Sequence, residues 1–337
     1  MKHLTPVAFH SQLCRHLSFP MGFDPNRPFQ PQQAAARELL ERLLAMPEKK
    51  TDPVPRVEWT SDADPRFTEI RFSFETEPDL WVPVHLLLPR GAKTPLPVAI
   101  CLQGHSPGMH VSLGRNEKGE TIPIEGDRDF AMQAVQLGFA AVAMEQRGFG
   151  ELTGATETCK DRCWFLAEQA LMLGRTLLGE RCFDVSQLVC ALKAFEELDL
   201  TRIGIMGNSG GGTTSYYAAA MLPEITAAMP SCAFRRYEDG QMARYHCLCG
   251  YVPGILKYMD MPDVAMLIAP KPMVIVAGQS DNLASLPEVE RGYETVKAIY
   301  QAAGAPENCK LVVGAGGHRF YADIGWNAFT PFLKNAF

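Results

Sequence analysis

Several absences narrow this 337-residue chain at once. No apolar stretch approaches the ~18–20 residues of a membrane-spanning helix. No run of Lys or Arg exceeds two residues, and the formal net charge is -6, so the basic stripe of a nucleic-acid binder is missing. There is no G-x-x-x-x-G-K-[ST], and no G-x-G-x-x-G follows the first parallel-strand candidate, which excludes the common phosphate-cradling loops. The N-terminus is broken by Pro6, His10, Gln12 and Arg15. It lacks the apolar core and small-residue cleavage site of a secretory signal, and a cytoplasmic protein is expected. The ten Cys are scattered, several inside apolar runs, and read as buried thiols rather than a disulfide framework. His246-Cys247-Leu248-Cys249 has no second Cys/His pair at zinc-site spacing, so neither metal nor cofactor is expected.

What is present is ordinary globular composition, 47% hydrophobic and 21% charged, in a chain long enough for a large core. Pro31 to Met46 has helical periodicity, closed by Pro47, and a polar link runs from Lys49 to Pro55. Residues 1–55 therefore read as an N-terminal helical extension to a domain over 56–337. Such a helix packs on its own domain or on a second copy, which leaves a homo-oligomer open. Phe67–Phe74 and Trp81–Leu88 alternate as antiparallel strands do.

From Leu96 onward, short apolar runs alternate with helix-length segments. The runs are Val98–Leu102, Ala140–Met144, Ile203–Met206, Ala227–Met229, Met273–Ala277 and Leu311–Val313. Helices are predicted over Arg128–Leu137, Trp164–Leu178, Val185–Leu198, Gly211–Met221, Pro287–Ala302 and Ala322–Asn335. This is an α/β pattern, a mostly parallel central sheet with helices on both faces and antiparallel strands at its N-terminal edge. Active loops then lie at the carboxyl ends of the strands. Phe234–Asp263 fits neither template and reads as a lid-like insertion, with His246 and Tyr251 as candidate pocket residues.

The strongest local signal is Gly207-Asn208-Ser209-Gly210-Gly211, a G-x-S-x-G between a strand and a helix. A nucleophile on such a turn sits at a strained φ/ψ, and glycines remove the Cβ atoms that would clash. Ser209 needs a base. His318, in the glycine-rich loop after the last strand, is the candidate. The acid is expected after the penultimate strand, at Asp281, with Glu288 as the competitor. Two backbone N–H groups are needed for the oxyanion, assigned to Gly210 and to His105 in the loop after Val98–Leu102. Arg147, Arg181 and Asp184 read as structural braces.

These stretches resemble the acetyl xylan esterase-like group of α/β-hydrolases, related to dienelactone hydrolases. The resemblance is carried by LQGHSPG (102–108), EQRGFGE (145–151), GRTLLGERCFD (174–184), GNSGGG (207–212) and GAGGHRFYADIGW (314–326). The segment from Tyr245 to Gly278 also looks typical of it. It implies an α/β-hydrolase fold, the same Ser209, Asp281 and His318, and cofactor-free hydrolysis of small acyl esters, often acetyl groups on sugars. The chain departs from the group at the acid loop, where a short Asp-Pro turn is replaced by the longer Asp281-to-Pro287 stretch.

Overall fold

A computed structural model of the chain describes residues 4–48, 52–105, 107–153 and 162–334, apart from the side chains of Arg162 and Asp239. Cys159, Ser106 of the loop after Val98–Leu102, the start of the Lys49–Pro55 link and Asn335 of the last expected helix lie outside the described residues. Strands β1 (Arg56–Ser61), β2 (Phe67–Glu77) and β3 (Leu80–Pro89) form an antiparallel edge. Next come β4 (Leu96–Leu102), β5 (Ala140–Met144), β6 (Leu198–Asn208), β7 (Ala227–Ser231), β8 (Met273–Gly278) and β9 (Cys309–Gly314). Among the described residues these form one nine-stranded sheet, in the order β1-β2-β3-β5-β4-β6-β7-β8-β9. Strand β3 meets β5 antiparallel, and all pairs from β5 to β9 are parallel.

The period of two in the parallel strands explains the layering. Val98, Ile100 and Leu102 of β4 enter one core, whereas Ala99 and Cys101 enter the other. Strand β5 divides likewise, with Ala140, Val142 and Met144 on one side and Ala141 and Ala143 on the other. Both faces are therefore covered. Helices α2 (Phe29–Leu44), α5 (Leu177–Leu192), α6 (Gly210–Met221) and α7 (Leu286–Ala302) bury residues in the first core. Helices α3 (Phe130–Gln136) and α8 (Ala322–Lys334) do so in the second. This is the mostly parallel α/β sheet that the apolar runs predicted.

Three local features differ from the sequence reading. Helix α1 (Pro6–Cys14) starts at Thr5, whose hydroxyl accepts the Ala8 N–H, yet it buries only Cys14 and so has no core-facing periodicity to betray it. Strand β1 is an exposed edge without apolar alternation. Helix α4 (Arg162–Met172) stops earlier than predicted, and α5 starts and stops earlier than its predicted counterpart. Between α4 and α5, Gly174 takes φ +72° and Thr176 caps the Gly179 N–H at 2.9 Å. A Gly at positive φ followed by an N-cap is a helix-to-helix joint.

Candidate active site

Parallel order places the loops after β4, β6, β8 and β9 at one sheet edge, and the site is built there. Strand β6 ends at Asn208, and Ser209 (φ 57°, ψ -121°) turns the chain directly into α6. Such a conformation costs a non-Gly residue on the order of 1–3 kcal/mol. It is held by Ser209 N–H donating to the Ser231 carbonyl at 2.8 Å and by Thr213 N–H donating to the Ser209 carbonyl at 2.9 Å. Asn208 Oδ1 accepts the Ser231 hydroxyl at 2.8 Å. The turn is tight enough to need its glycines. A Cβ on Gly211 would stand 2.2 Å from the Leu102 carbonyl oxygen, and one on Gly104 would stand 2.9 Å from Ser209 Cβ.

His318 follows β9. Its Nδ1 meets Asp281 Oδ2 at 2.8 Å, and its Nε2 is buried with no hydrogen-bond partner among the described residues. Asp281 follows β8, and its Oδ1 accepts the Leu283 N–H at 2.8 Å. Burial alone would raise the Asp281 carboxyl, but the hydrogen bond and charge of His318, with the Leu283 N–H, outweigh it and lower the pKa. The two loops are laced together by Gln279 N–H to the Gly314 carbonyl at 2.8 Å and Ser280 N–H to the Gly316 carbonyl at 2.9 Å. Ser209 and His318 line one cleft of about 380 Å³ with Gly104, His105, Glu125, Arg128, Asn208 and Arg319.

The loop after β4 lies against the elbow. A Cβ on Gly104 would stand 3.4 Å from Gly210 N, and one on Gly210 would stand 3.3 Å from His105 Nδ1. The far end of this loop rests on Glu145, which accepts N–H groups from Met109 (3.2 Å) and Glu151 (3.2 Å). Burial pushes the Glu145 carboxyl up to about 7.

Glu288, the competing acid, is engaged elsewhere. Arg244 holds its two oxygens at 2.9 and 2.7 Å, and it caps the first turn of α7. His246 lies close enough to His318 and Asp281 to respond to their charges. Burial, with Arg235 and Arg244, holds its imidazole down to about 4, so it is neutral at pH 7. Tyr251 lines a different cavity of about 400 Å³ with Cys14, Tyr237 and Gln241, and not the Ser209 cleft. Arg147 is buried in a network, with Nε and Nη2 on Asp184 at 2.9 and 2.7 Å and Nη1 on Glu77 at 2.9 Å. Arg181 stacks on Phe149 with 4.3 Å from Cζ to the ring centroid and donates to the Arg147 carbonyl.

Sequence reasoning missed Cys232. It sits beside Asp281 and His318, at φ 46°, with Sγ donating to the Arg319 carbonyl at 3.1 Å. Burial and the Asp281 charge push its thiol up to about 12, so it stays protonated at neutral pH and donates that hydrogen bond. Glu125 and Arg128 were missed too, because nothing in their spacing marks them. A second group of potential ligands, His105, Cys163, Cys247 and Cys249, lies beside the elbow.

The chain belongs to the Abhydrolase family, whose model matches residues 11–318, and its architecture is the α/β-hydrolase fold. Among curated relatives it is similar to the Bacillus subtilis (strain 168) protein named "Putative hydrolase YtaP", 25% identical over 239 residues, which cover 70% of this chain and 77% of that protein. Among solved structures it is similar to one titled "putative acetyl xylan esterase" from Bacteroides fragilis NCTC 9343, with a TM-score of 0.76 and 17% identity over 96% of this chain and 84% of that one. Acetyl Xylan Esterase 1 from Thermoanaerobacterium sp. JW/SL YS485 gives a TM-score of 0.59 and 19% identity, covering 96% of this chain and 98% of that chain. Among the described residues no helix is long and apolar enough to cross a membrane.

Proposed function

We propose that this protein is a serine esterase that removes small acyl groups, acetyl foremost, from carbohydrate esters. The observation that carries the reading is His318, which lines the same cleft as Ser209 and is bound through Nδ1 to a buried carboxylate, while its Nε2 has no hydrogen-bond partner among the described residues. With Asp281 fixing that tautomer, Nε2 is the basic nitrogen and accepts the Ser209 proton as Oγ attacks the acyl carbon. Backbone N–H groups of Gly210 and His105 hold the oxyanion. Collapse of the tetrahedral intermediate expels the alcohol, which takes its proton from His318. Water, deprotonated by the same imidazole, then attacks the acyl-enzyme and releases the acid.

The lining favours a polar alcohol over a long acyl chain, because Glu125, Arg128, Asn208 and Arg319 offer hydrogen-bonding groups suited to sugar hydroxyls. The acetyl xylan esterases that share the fold support the same substrate class. The chemistry needs no cofactor. The segment 234–263, expected as a lid-like insertion, brings His246 close enough to His318 and Asp281 to respond to their charges, but neither His246 nor any other described residue of it lines the Ser209 cleft.

The test is a time course of p-nitrophenyl acetate hydrolysis, followed by acetylated oligosaccharides. Wild-type enzyme is expected to turn over, and Ser209→Ala to lose at least about 10³-fold in kcat, the scale seen when a triad nucleophile is removed. Equal turnover by both proteins would place the activity elsewhere and end this assignment.

A further inference from the structure

The fold gathers a set of metal ligands that sequence spacing concealed. His105 comes from the loop after β4, Cys163 from the first turn of α4, and Cys247 and Cys249 flank Leu248 in a short 3-10 turn between β7 and β8. One donor atom from each of the four lies within 4.8 Å of every other. Cys163 Sγ and Cys247 Sγ are 3.7 Å apart, and Cys249 Sγ is 3.4 Å from His105 Nε2. A tetrahedral zinc with Zn–S of about 2.3 Å and Zn–N of about 2.0–2.1 Å requires S···S edges of about 3.8 Å and S···N edges of about 3.6 Å. These two spacings lie close to those edges, and the remaining four stay within 4.8 Å.

We infer that His105, Cys163, Cys247 and Cys249 form a structural zinc site that clamps the loop after β4 to α4 and to the β7–β8 segment. Three soft sulfur donors and an imidazole select zinc over magnesium or calcium, which prefer oxygen. Four protein ligands close the coordination sphere, the mark of a structural rather than a catalytic site. Charge supports the assignment independently. Zinc with three thiolates and a neutral imidazole carries a net charge of -1. Arg181, 1% exposed, brings Nη2 to 3.2 Å from Cys163 Sγ. Its other partners are the Arg147 carbonyl, the Phe149 ring and Cys249, and it forms no salt bridge with a carboxylate of the described residues. A buried guanidinium needs a counter-charge, and the thiolate cluster supplies one.

Ligation also has a consequence for the elbow. A neutral imidazole metallated at Nε2 carries its proton on Nδ1. That atom faces Gly210, 3.3 Å from where a Cβ would stand. Zinc would thus fix both the tautomer of His105 and the position of the loop whose backbone borders Ser209.

Metal content tests the inference apart from catalysis. The full chain, purified without metal-affinity resin and dialysed against metal-free buffer, is expected to hold about one zinc per molecule by elemental mass spectrometry. The double variant Cys247→Ser, Cys249→Ser should retain less than about a tenth of that. Cys190→Ser, in α5 and outside the cluster, should keep it all. Should the double variant fail to fold, the wild-type chain still decides. Stripped of zinc and given cobalt(II), it should develop thiolate-to-cobalt charge-transfer absorption and the visible bands of a tetrahedral centre. Three results would overturn the site: a wild-type chain that takes up neither metal, a double variant that keeps its zinc, or a disulfide among these cysteines under non-reducing conditions.

Discussion

Asp281 carries a distinction that residue type alone does not. It and Glu288 are carboxylates seven residues apart in one segment, and both are buried. Only Asp281 meets His318, whereas Glu288 is neutralised by Arg244 and caps α7. Asp281→Asn keeps the side-chain volume but offers an amide where the imidazole needs an acceptor. It is expected to lower kcat by about 10⁴-fold, as replacement of a triad acid does by favouring the wrong tautomer. Glu288→Gln should instead lose stability and keep kcat within about tenfold, the effect of a weakened cap rather than lost chemistry. Parallel kinetics on acetyl esters would separate the two, and the reverse order would mean the acid has been misassigned. Ser209 and His318 were legible as candidates in the sequence because a strand–turn–helix elbow and a glycine-rich loop are local patterns. Cys232 was not, because its place beside Asp281 depends on the neighbouring strand.

Among the elements, the β6–α6 elbow is tightly constrained. In an exposed helix, Gly→Ala gains about 0.8–1 kcal/mol from propensity. At Gly211 the added Cβ would stand 2.2 Å from the Leu102 carbonyl oxygen, a backbone atom of β4 that cannot rotate away. Overpacking of this kind costs typically about 1–3 kcal/mol, so the steric term wins. Gly211→Ala is expected to lower the denaturation midpoint and to disturb the loop bordering Ser209. An unchanged midpoint with unchanged kcat would show that β4 and α6 can separate without cost. Elsewhere the sequence misled. Leu171, Met172 and Leu173 carry an apolar run across the end of α4 at Met172, yet all three are exposed, Met172 at 88%. The break at Gly174 follows from backbone conformation, which apolar periodicity does not register.

Over the whole molecule, carboxylates with shifted pKa set opposing pH dependences. Burial alone would raise Glu69 and Glu151. Hydrogen bonds from His85 and Arg115 to the first, and from His110 and Arg71 to the second, outweigh it and hold each down at about 2. Folded-state values below the unfolded ones give stability that is present above pH 4.5 and lost as pH falls towards 2. Glu145 acts in the opposite sense. Burial raises it from 4.5 to about 7, so the folded chain keeps a proton that the unfolded chain has released. Its contribution is complete below pH 4.5 and disappears as pH rises through 7, on the order of 3 kcal/mol across that window. Urea denaturation at pH 5 and pH 8 should show wild-type stability falling, with the fall reduced in Glu145→Gln. An equal fall in both would remove Glu145 as its source.

Sequence by itself determined what depends on neighbours along the chain. Alternation of period two divided the strands between two cores, and Gly-x-Ser-x-Gly between an apolar run and a helix marked the elbow. The order of serine, acid and histidine along the chain placed the three candidates. Tertiary structure decided what depends on strand order across the sheet. With β4 beside β6, and β7, β8 and β9 following, loops distant in sequence converge on one edge. That convergence brings Asp281 to His318, separates Tyr251 from the Ser209 cleft, and sets His105 against Cys249, 144 residues away. The Cys247-Leu248-Cys249 turn supplies two ligands at most. The other two reach it only because folding carries the loop after β4 and the first turn of α4 to the same place.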